Sequence, residues 1–186
     1  MSKYYLKADY DITYLKYHEI EDTIVVDIPM LSNSKLNYGI EHVKKLLRSH
    51  NIFPSEIGFD IITLATMVYL ADTRIARIIH GQDSWTREIV IKLPVSDVDL
   101  WNKQIITIER MLKFLTGDLW SFEFVKRNWL FELSEKAEEK TALYSRASLF
   151  SGGMDSLIST INLMERKENT LLFGHAGEGL TKNAQN

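Results

Sequence analysis

The chain has 186 residues, of which 45% are apolar and 25% are charged, and it contains no cysteine. This composition is typical of a folded globular protein of one or two domains, and it excludes disulfides, thiolate catalysis and cysteine-ligated zinc within the chain. The net charge of −3 and the isoelectric point near 6.0 exclude a basic field over the whole chain, so we predict no direct nucleic-acid binding.

The first third of the chain predicts strands followed by helices. Residues 4–28 are rich in β-branched and aromatic types and alternate in places with polar ones, which predicts one or two strands ended by Pro29. Residues 38–49 carry apolar residues at helical spacing and predict a helix. Pro54 suits the start of the next helical region, whose long member we expect over 59–79.

Neither a secretion signal nor a membrane span is predicted. The N-terminus lacks the apolar core of a signal peptide. The most apolar stretch, residues 59–70, contains Asp60 and two threonines, and it is too short to cross a bilayer. We therefore expect a cytoplasmic protein without membrane contact.

The middle of the chain alternates strand and helix patterns. Residues 87–93 alternate apolar and polar types and predict a half-buried strand stopped by Pro94. Residues 99–116 place apolar side chains three or four positions apart, which predicts a helix with Gly117 as its C-cap. Residues 119–125 predict another strand. The aromatic side chains of this region fit periodic core positions: Trp101, Trp120, Phe122 and Phe124.

A change in amino-acid composition marks a domain boundary near residue 140. Residues 132–144 are strongly charged and read as a charged helix or a linker. The sequence thus predicts an α/β chain with two parts. An α+β N-terminal domain, residues 1–140, precedes the first βαβ part of a parallel-sheet nucleotide-binding domain, residues 141–186.

The clearest chemical signal follows a short predicted buried strand, residues 146–150. The run Ser151-Gly152-Gly153-Met154-Asp155-Ser156 comes next, and an apolar helical stripe begins at Leu157. In a strand–turn–helix of this kind, the turn amides and the helix N-terminus form an anion site. Gly152 and Gly153 let the backbone approach phosphate oxygens closely. Ser151 and Ser156 offer hydroxyl donors to the same oxygens.

The sequence leaves two questions open about residues 151–156, namely the role of Asp155 and the role of the whole segment. Asp155 either caps the helix or holds Mg²⁺. The whole run has an alternative interpretation as a glycine-rich interdomain turn, although a plain turn does not need both serines. A Walker-type loop is excluded, because the pattern G-x-x-x-x-G-K-[ST] does not occur in the sequence.

Ser-Gly-Gly-x-Asp-Ser after a strand resembles the PP-loop of ATP pyrophosphatases, and residues 149–156 are most similar to the 7-cyano-7-deazaguanine synthase family. Three N-terminal segments resemble, within that family, the QueC-like proteins of Qat anti-phage defence operons. These segments read Asp-Ser-Trp-Thr-Arg at 83–87, Leu-Pro-Val at 93–95 and Leu-Thr-Gly-Asp-x-Trp at 115–120. The resemblance covers most of the chain.

The resemblance implies ATP-dependent activation of a carboxylate. The carboxylate attacks the α-phosphate, pyrophosphate leaves, and an amine captures the acyl adenylate. The implied ligands are ATP and Mg²⁺ with a deazaguanine-type carboxylate or a protein acceptor, and the implied partners are other subunits of a defence complex. Asp155 and Ser156 would take the catalytic roles, and the loop Ser151, Gly152, Gly153, Asp155 and Ser156 would bind the nucleotide.

Two features depart from this family. Its members carry a cysteine zinc site near the C-terminus, whereas this chain has no cysteine. Only 41 residues run from Arg146 to Asn186, whereas the family's nucleotide-binding domain is a five-stranded parallel sheet. We therefore expect a truncated domain that lacks the full active site and does not turn over ATP at a useful rate by itself.

Weaker candidates complete the set of expectations. His175 follows a second predicted strand, residues 170–173, where open α/β sheets bind ligands; an exposed glycine-rich loop is the alternative. Asp72, Arg74 and Arg77 predict a solvated or ion-paired helix face. The rival function is a non-catalytic subunit that binds a partner through its N-terminal part and keeps a vestigial loop.

Overall fold

A computed structural model describes most of the chain, namely residues 3–30, 40–49, 52–81, 85–129 and 144–174. The chain divides into two compact units, Met1–Glu135 and Lys136–Asn186, and each is described by itself. The predicted domain boundary at residue 140 falls within 130–143, outside the described residues. Among the described residues, no helix has the length and apolar character needed to cross a membrane.

The elements of the first unit follow one another as strands, helices, a strand, helices and a strand. The strands are β1 Lys3–Asp9, β2 Lys16–Ile20, β3 Thr23–Pro29, β4 Glu88–Val95 and β5 Leu119–Lys126. The helices are α1 Ile40–Ser49, α2 Glu56–Arg74, α3 Arg77–His80, α4 Val98–Asn102 and α5 Ile105–Thr116.

The five strands form one mostly parallel sheet in the order β2-β3-β1-β4-β5. β1 pairs in parallel with both β3 and β4, and β4 pairs in parallel with β5. Only β2, paired with β3, is antiparallel within this sheet. The predicted α/β class is confirmed, but the description of the N-terminal part as α+β is wrong. Strand direction is set by the connections between strands, which run through β2 between β1 and β3 and through helices before β4 and β5. The alternation within each strand does not reveal these connections.

The core lies on one face of this sheet. Alternate residues of β4, namely Ile89, Ile91, Leu93 and Val95, are 0% exposed, and they join one apolar cluster with α2, α4 and α5. The opposite face carries charged side chains, including the ion pairs Lys3–Glu88 at 2.9 Å and Lys7–Asp27 at 3.6 Å. This division produces the alternating burial of β1 and β5. The predicted core positions of Trp101, Trp120, Phe122 and Phe124 are confirmed.

Several predicted boundaries shift for identifiable reasons. Pro94 lies inside β4 rather than after it, which the sheet tolerates because β1 pairs with β4 only as far as Lys92. The long helix predicted over 59–79 ends at Arg74, since the Arg87 guanidinium takes up carbonyl oxygens at its C-terminus. Gly117 is the C-cap of α5, with φ of +77° as its left-handed position requires.

The second unit contains, among its described residues, β6 Arg146–Leu149, α6 Met154–Glu165 and β7 Thr170–Phe173. β6 and β7 pair in parallel, so the predicted β–α–β order is confirmed. The prediction of a buried strand at 146–150 is wrong, because Leu149 is 83% exposed. The apolar stripe of α6 is also exposed along its length, at Met154, Leu157, Ile158, Ile161 and Met164.

Candidate functional site

The candidate loop connects the end of β6 to the start of α6. The Phe150 amide donates to Phe173 O over 2.8 Å, which extends the pairing with β7 to the first residue of the loop. Gly152 has φ of +81°, a backbone conformation that disfavours residues with a Cβ. The loop therefore leaves the sheet through a turn that needs glycine at position 152.

Three residues of the loop form a closed set of hydrogen bonds. The Ser151 hydroxyl donates to Ser156 Oγ over 3.2 Å, and the Ser156 hydroxyl donates to Gly153 O over 2.8 Å. Ser151 Oγ accepts from the Gly153 amide at 3.4 Å. Both hydroxyls thus lie beside the first turn of α6, where they are able to rotate toward another acceptor.

α6 begins without a side-chain cap. Gly153 is its N-cap residue in an extended conformation, and the Leu157 amide donates to Gly153 O over 3.0 Å. The amides of Met154, Asp155 and Ser156 precede this bond, so they have no partner within the helix. Amides in this position favour a bound anion. Asp155 lies within the first turn, and the start of the helix has no side-chain cap, so of the two roles left open for Asp155 the capping role is not seen.

The loop is open to approach. Ser151, Gly153 and Asp155 are exposed, while Gly152 and Ser156 are half-buried. A Cβ added at Gly153 would meet Ser151 Oγ at 3.5 Å, an ordinary contact, so the fold itself leaves room for a side chain there. The structure brings five of the predicted site residues together on this loop. His175, the sixth, lies outside the described residues.

Metal binding at the loop would depend on a single carboxylate. No group of three or more histidine or acidic side chains within metal-binding reach occurs among the described residues. Magnesium at nucleotide sites is usually held by one or two carboxylates together with phosphate oxygens. Asp155 is exposed beside the uncapped amides, so its position is compatible with supplying one carboxylate to such a magnesium ion.

Sequence reasoning missed a buried ion cluster in the first unit. The Arg87 side chain, 1% exposed, donates to Asp118 Oδ2 from Nε at 3.2 Å and from NH2 at 2.5 Å. Its NH1 donates to the carbonyl oxygens of Ala71, Asp72 and Ile75 at the end of α2. Arg77 donates to both Asp118 oxygens at 2.7 and 2.9 Å.

This cluster favours the charged form of Asp118. Burial alone would raise the pKa of Asp118, but hydrogen bonds from Arg87 and the charge of Arg77 hold that pKa below its usual value. The cluster joins the motif segments 83–87 and 115–120, whose described residues lie against each other. Arg87 and Asp118 therefore tie α2, β4 and β5 together, which is a structural role. The expected ion pairing is confirmed for Asp72, near the end of α2, and for Arg77, the first residue of α3.

A second buried carboxylate holds the opposite end of α2. Asp60 Oδ2 accepts from the amide and hydroxyl of Ser96 at 2.8 and 2.6 Å and from Trp101 Nε1 at 3.1 Å. Asp60 Oδ1 accepts from Arg127 NH2 at 3.0 Å. Beside it, a cleft of about 370 Å³ opens at the carboxyl ends of β4 and β5. Its lining consists of Glu56, Ser96, Lys126, Arg127, Asn128 and Trp129.

Comparison with protein-family models, with curated proteins and with solved structures finds no match for this chain. The fold defines an α/β chain whose second unit presents the first-turn amides of α6 and two serine hydroxyls after a parallel strand.

Proposed function

We propose that the loop of residues 151–156 binds the phosphates of ATP. The observation that carries this proposal is the uncapped start of α6, where three helix amides without helical partners stand beside two serine hydroxyls. This set offers donors to several oxygens of one phosphate group, and the helix dipole adds a favourable field.

The reaction proposed for the site is activation of a carboxylate by adenylation, with pyrophosphate as the leaving group. Phosphoryl chemistry of this type relies mainly on positioning and on neutralising charge. Ser151, Gly153 and Ser156 would hold the departing phosphates. Asp155 would hold Mg²⁺ together with phosphate oxygens, a role in which Mg²⁺ supplies further neutralisation. These assignments rest on the motif and on the loop geometry.

The biological setting is also part of the proposal. The resemblance to QueC-like proteins supports a deazaguanine-type carboxylate or a protein acceptor as the second substrate. The same resemblance supports a role in anti-phage defence, in a complex with further subunits. The absence of cysteine from the sequence fits a reducing compartment such as the cytoplasm.

Calorimetric titration of the whole chain with Mg-ATP tests the proposal. We expect Gly153→Val to weaken binding by about tenfold or more, because the branched Cβ occupies the approach of the phosphate while the fold has room for it. Ser151→Ala combined with Ser156→Ala should also weaken binding, whereas Ser159→Ala, one turn along α6, serves as the matched control. Equal affinities for the wild-type chain and Gly153→Val would rule out this loop as the phosphate site.

A second candidate function is a non-catalytic subunit that binds a partner protein. The observation in its favour is the exposed apolar stripe of α6, in which Met154 and Met164 are each 70% exposed. Exposed apolar surface of this continuity is typical of an interface. The Mg-ATP titration distinguishes the two candidate functions. If the loop is vestigial, the folded chain should give no saturable heat of binding.

A further inference from the structure

The first unit contains an apolar cavity that is separate from the candidate loop and from the cleft at the strand ends. It has a volume of about 220 Å³ and lies between the core face of the sheet and the C-terminal half of α2. The sheet contributes Tyr4, Leu6, Val26 and Ile28, the connection between β1 and β2 contributes Leu15, and α2 with the residue after it contributes Leu70, Ala71, Arg74 and Ile75.

The position of α2 explains why space remains here. α2 packs against β4 and β1, whereas β3 lies one strand further toward the edge of the sheet. Ala71 faces the cavity with only a methyl group. Leu15, which is 37% exposed, lines the cavity from the connection before β2. The result is an apolar recess that is open on one side.

Arg74 is the charged residue of the lining. It lines the cavity and is exposed, and among the described residues no ion pair or hydrogen bond engages its guanidinium. Its neighbours differ, since Arg77 and Arg87 are both held by Asp118. An arginine without a carboxylate partner binds a carboxylate ligand through charge-assisted hydrogen bonds. Of the two states expected for these charged residues, Arg74 shows the solvated one among the described residues, whereas Asp72 and Arg77 are ion-paired.

Tyr4 is a second lining residue that carries a polar group. Its side chain is 8% exposed, and its hydroxyl makes no hydrogen bond with any described residue. Burial, and then the nearby Glu19 carboxylate, raise the pKa of Tyr4, so the hydroxyl keeps its proton over the physiological range. The lining thus consists of apolar side chains together with Arg74 and the uncharged Tyr4, while the Glu19 carboxylate acts on Tyr4 from outside the lining.

We propose that this cavity binds a monocarboxylic acid with a short hydrocarbon body. The apolar walls would take the hydrocarbon, and Arg74 would take the carboxylate at the open side. An apolar protein cavity of about 150 Å³ holds benzene, so the space here suits a chain of roughly six to eight carbons or a single aromatic ring. A phosphate or a dianion fits poorly, because the walls offer little beyond Arg74 to stabilise a second charge.

Octanoate and octan-1-ol, titrated separately into the whole chain, are the probes that test this site. Their difference in affinity isolates the contribution of the charge, because the two share one hydrocarbon chain. Wild-type protein should bind octanoate about tenfold more tightly than octan-1-ol. Arg74→Gln should abolish this preference while leaving octan-1-ol binding unchanged. Arg110→Gln, an exposed arginine on α5, is the matched control and should keep the preference.

Methyl NMR of the same titrations locates the binding. Octanoate should shift the methyl signals of Leu6, Leu15, Val26 and Leu70 together, with the same saturation curve. Leu15→Trp should weaken both ligands alike, because a larger side chain at a partly exposed position occupies the recess without disturbing the core. Equal wild-type affinities for the acid and the alcohol, or shifts confined to other methyl groups, would overturn the proposal.

Discussion

The two units of this chain bury different kinds of side chain. In the first unit, Arg87, Asp118 and Asp60 are 0–1% exposed and are surrounded by a continuous apolar cluster. In the described part of the second unit, Thr160 is the only buried residue, and the apolar side chains of α6 are exposed. The first unit therefore buries charge at both ends of a helix, whereas the second leaves even its leucines and isoleucines in contact with solvent.

This contrast shows how many strands a sheet needs before the sheet and its helices enclose an apolar core. Five strands with helices across one face enclose a core, and that core supports buried ion pairs whose polar atoms are largely satisfied. Two parallel strands and one helix do not enclose a core, since parallel sheets are stable when their faces are covered. The candidate loop thus lies between elements that, among the described residues, bury little apolar surface.

The largest effect should come from the buried ion cluster. Asp118→Ala leaves Arg87 buried without its main partner, so we expect the free energy of unfolding to fall by about 3–5 kcal/mol. Denaturant unfolding followed by tryptophan fluorescence measures this loss, because all four tryptophans lie within residues 85–129 of the first unit. Arg110→Ala, on the exposed face of α5, should change it by less than about 0.5 kcal/mol. A similar small change for both variants would mean that the cluster does not hold the sheet together.

The same cluster predicts an acid dependence. The pKa of Asp118 is lowered in the folded state, so the stabilisation is present above the unfolded-state value of about 3.9. It is lost as the pH falls through the lower, folded-state pKa. The difference between wild-type protein and Asp118→Ala should therefore be constant near neutral pH and narrow under acidic conditions. A difference that grew as the pH fell would contradict the sign of this shift.

A matched pair of isoleucines tests the contrast in apolar burial. Ile91 is 0% exposed in β4, and Ile161 is 47% exposed in α6. We expect Ile91→Ala to cost about 2–5 kcal/mol, because it leaves a cavity in the core. Ile161→Ala should cost less than about 1 kcal/mol. Hydrogen exchange gives an independent readout, in which amides of β4 should exchange far more slowly than those of α6. Comparable protection in both elements would remove the distinction between the two units.

The smallest effect concerns the C-cap of α5. Gly117 has φ of +77°, and an added Cβ would meet only Trp85 Nε1 at 3.5 Å. Gly117→Ala therefore meets no clash and costs about 1–2 kcal/mol through the left-handed backbone alone. Gly117→Asn should cost less, since asparagine tolerates this conformation. Thermal unfolding of the two variants separates backbone strain from crowding. A larger loss with alanine than with asparagine supports strain as the cause, whereas the reverse order implicates the contact with Trp85.

Local patterns in the sequence determined most elements and the candidate loop. The three- and four-residue spacing before Gly117 and the alternation around Trp120 and Phe124 gave the right helix, cap and buried face. The run from Ser151 to Ser156 placed a glycine turn between a strand and a helix, as the structure has it. These features depend on neighbours within a few positions, so the sequence carries them directly.

The tertiary structure alone decided the features that join distant residues. The parallel direction of β1, β3, β4 and β5 follows from the connections between them, which run through β2 between β1 and β3 and through helices before β4 and β5. Arg87 and Asp118 look like ordinary surface charges in the sequence, yet they meet across 31 positions in a buried pair. The exposure of Leu149 runs against its apolar type. Burial depends on what the rest of the fold brings alongside a residue, and no local pattern contains that information.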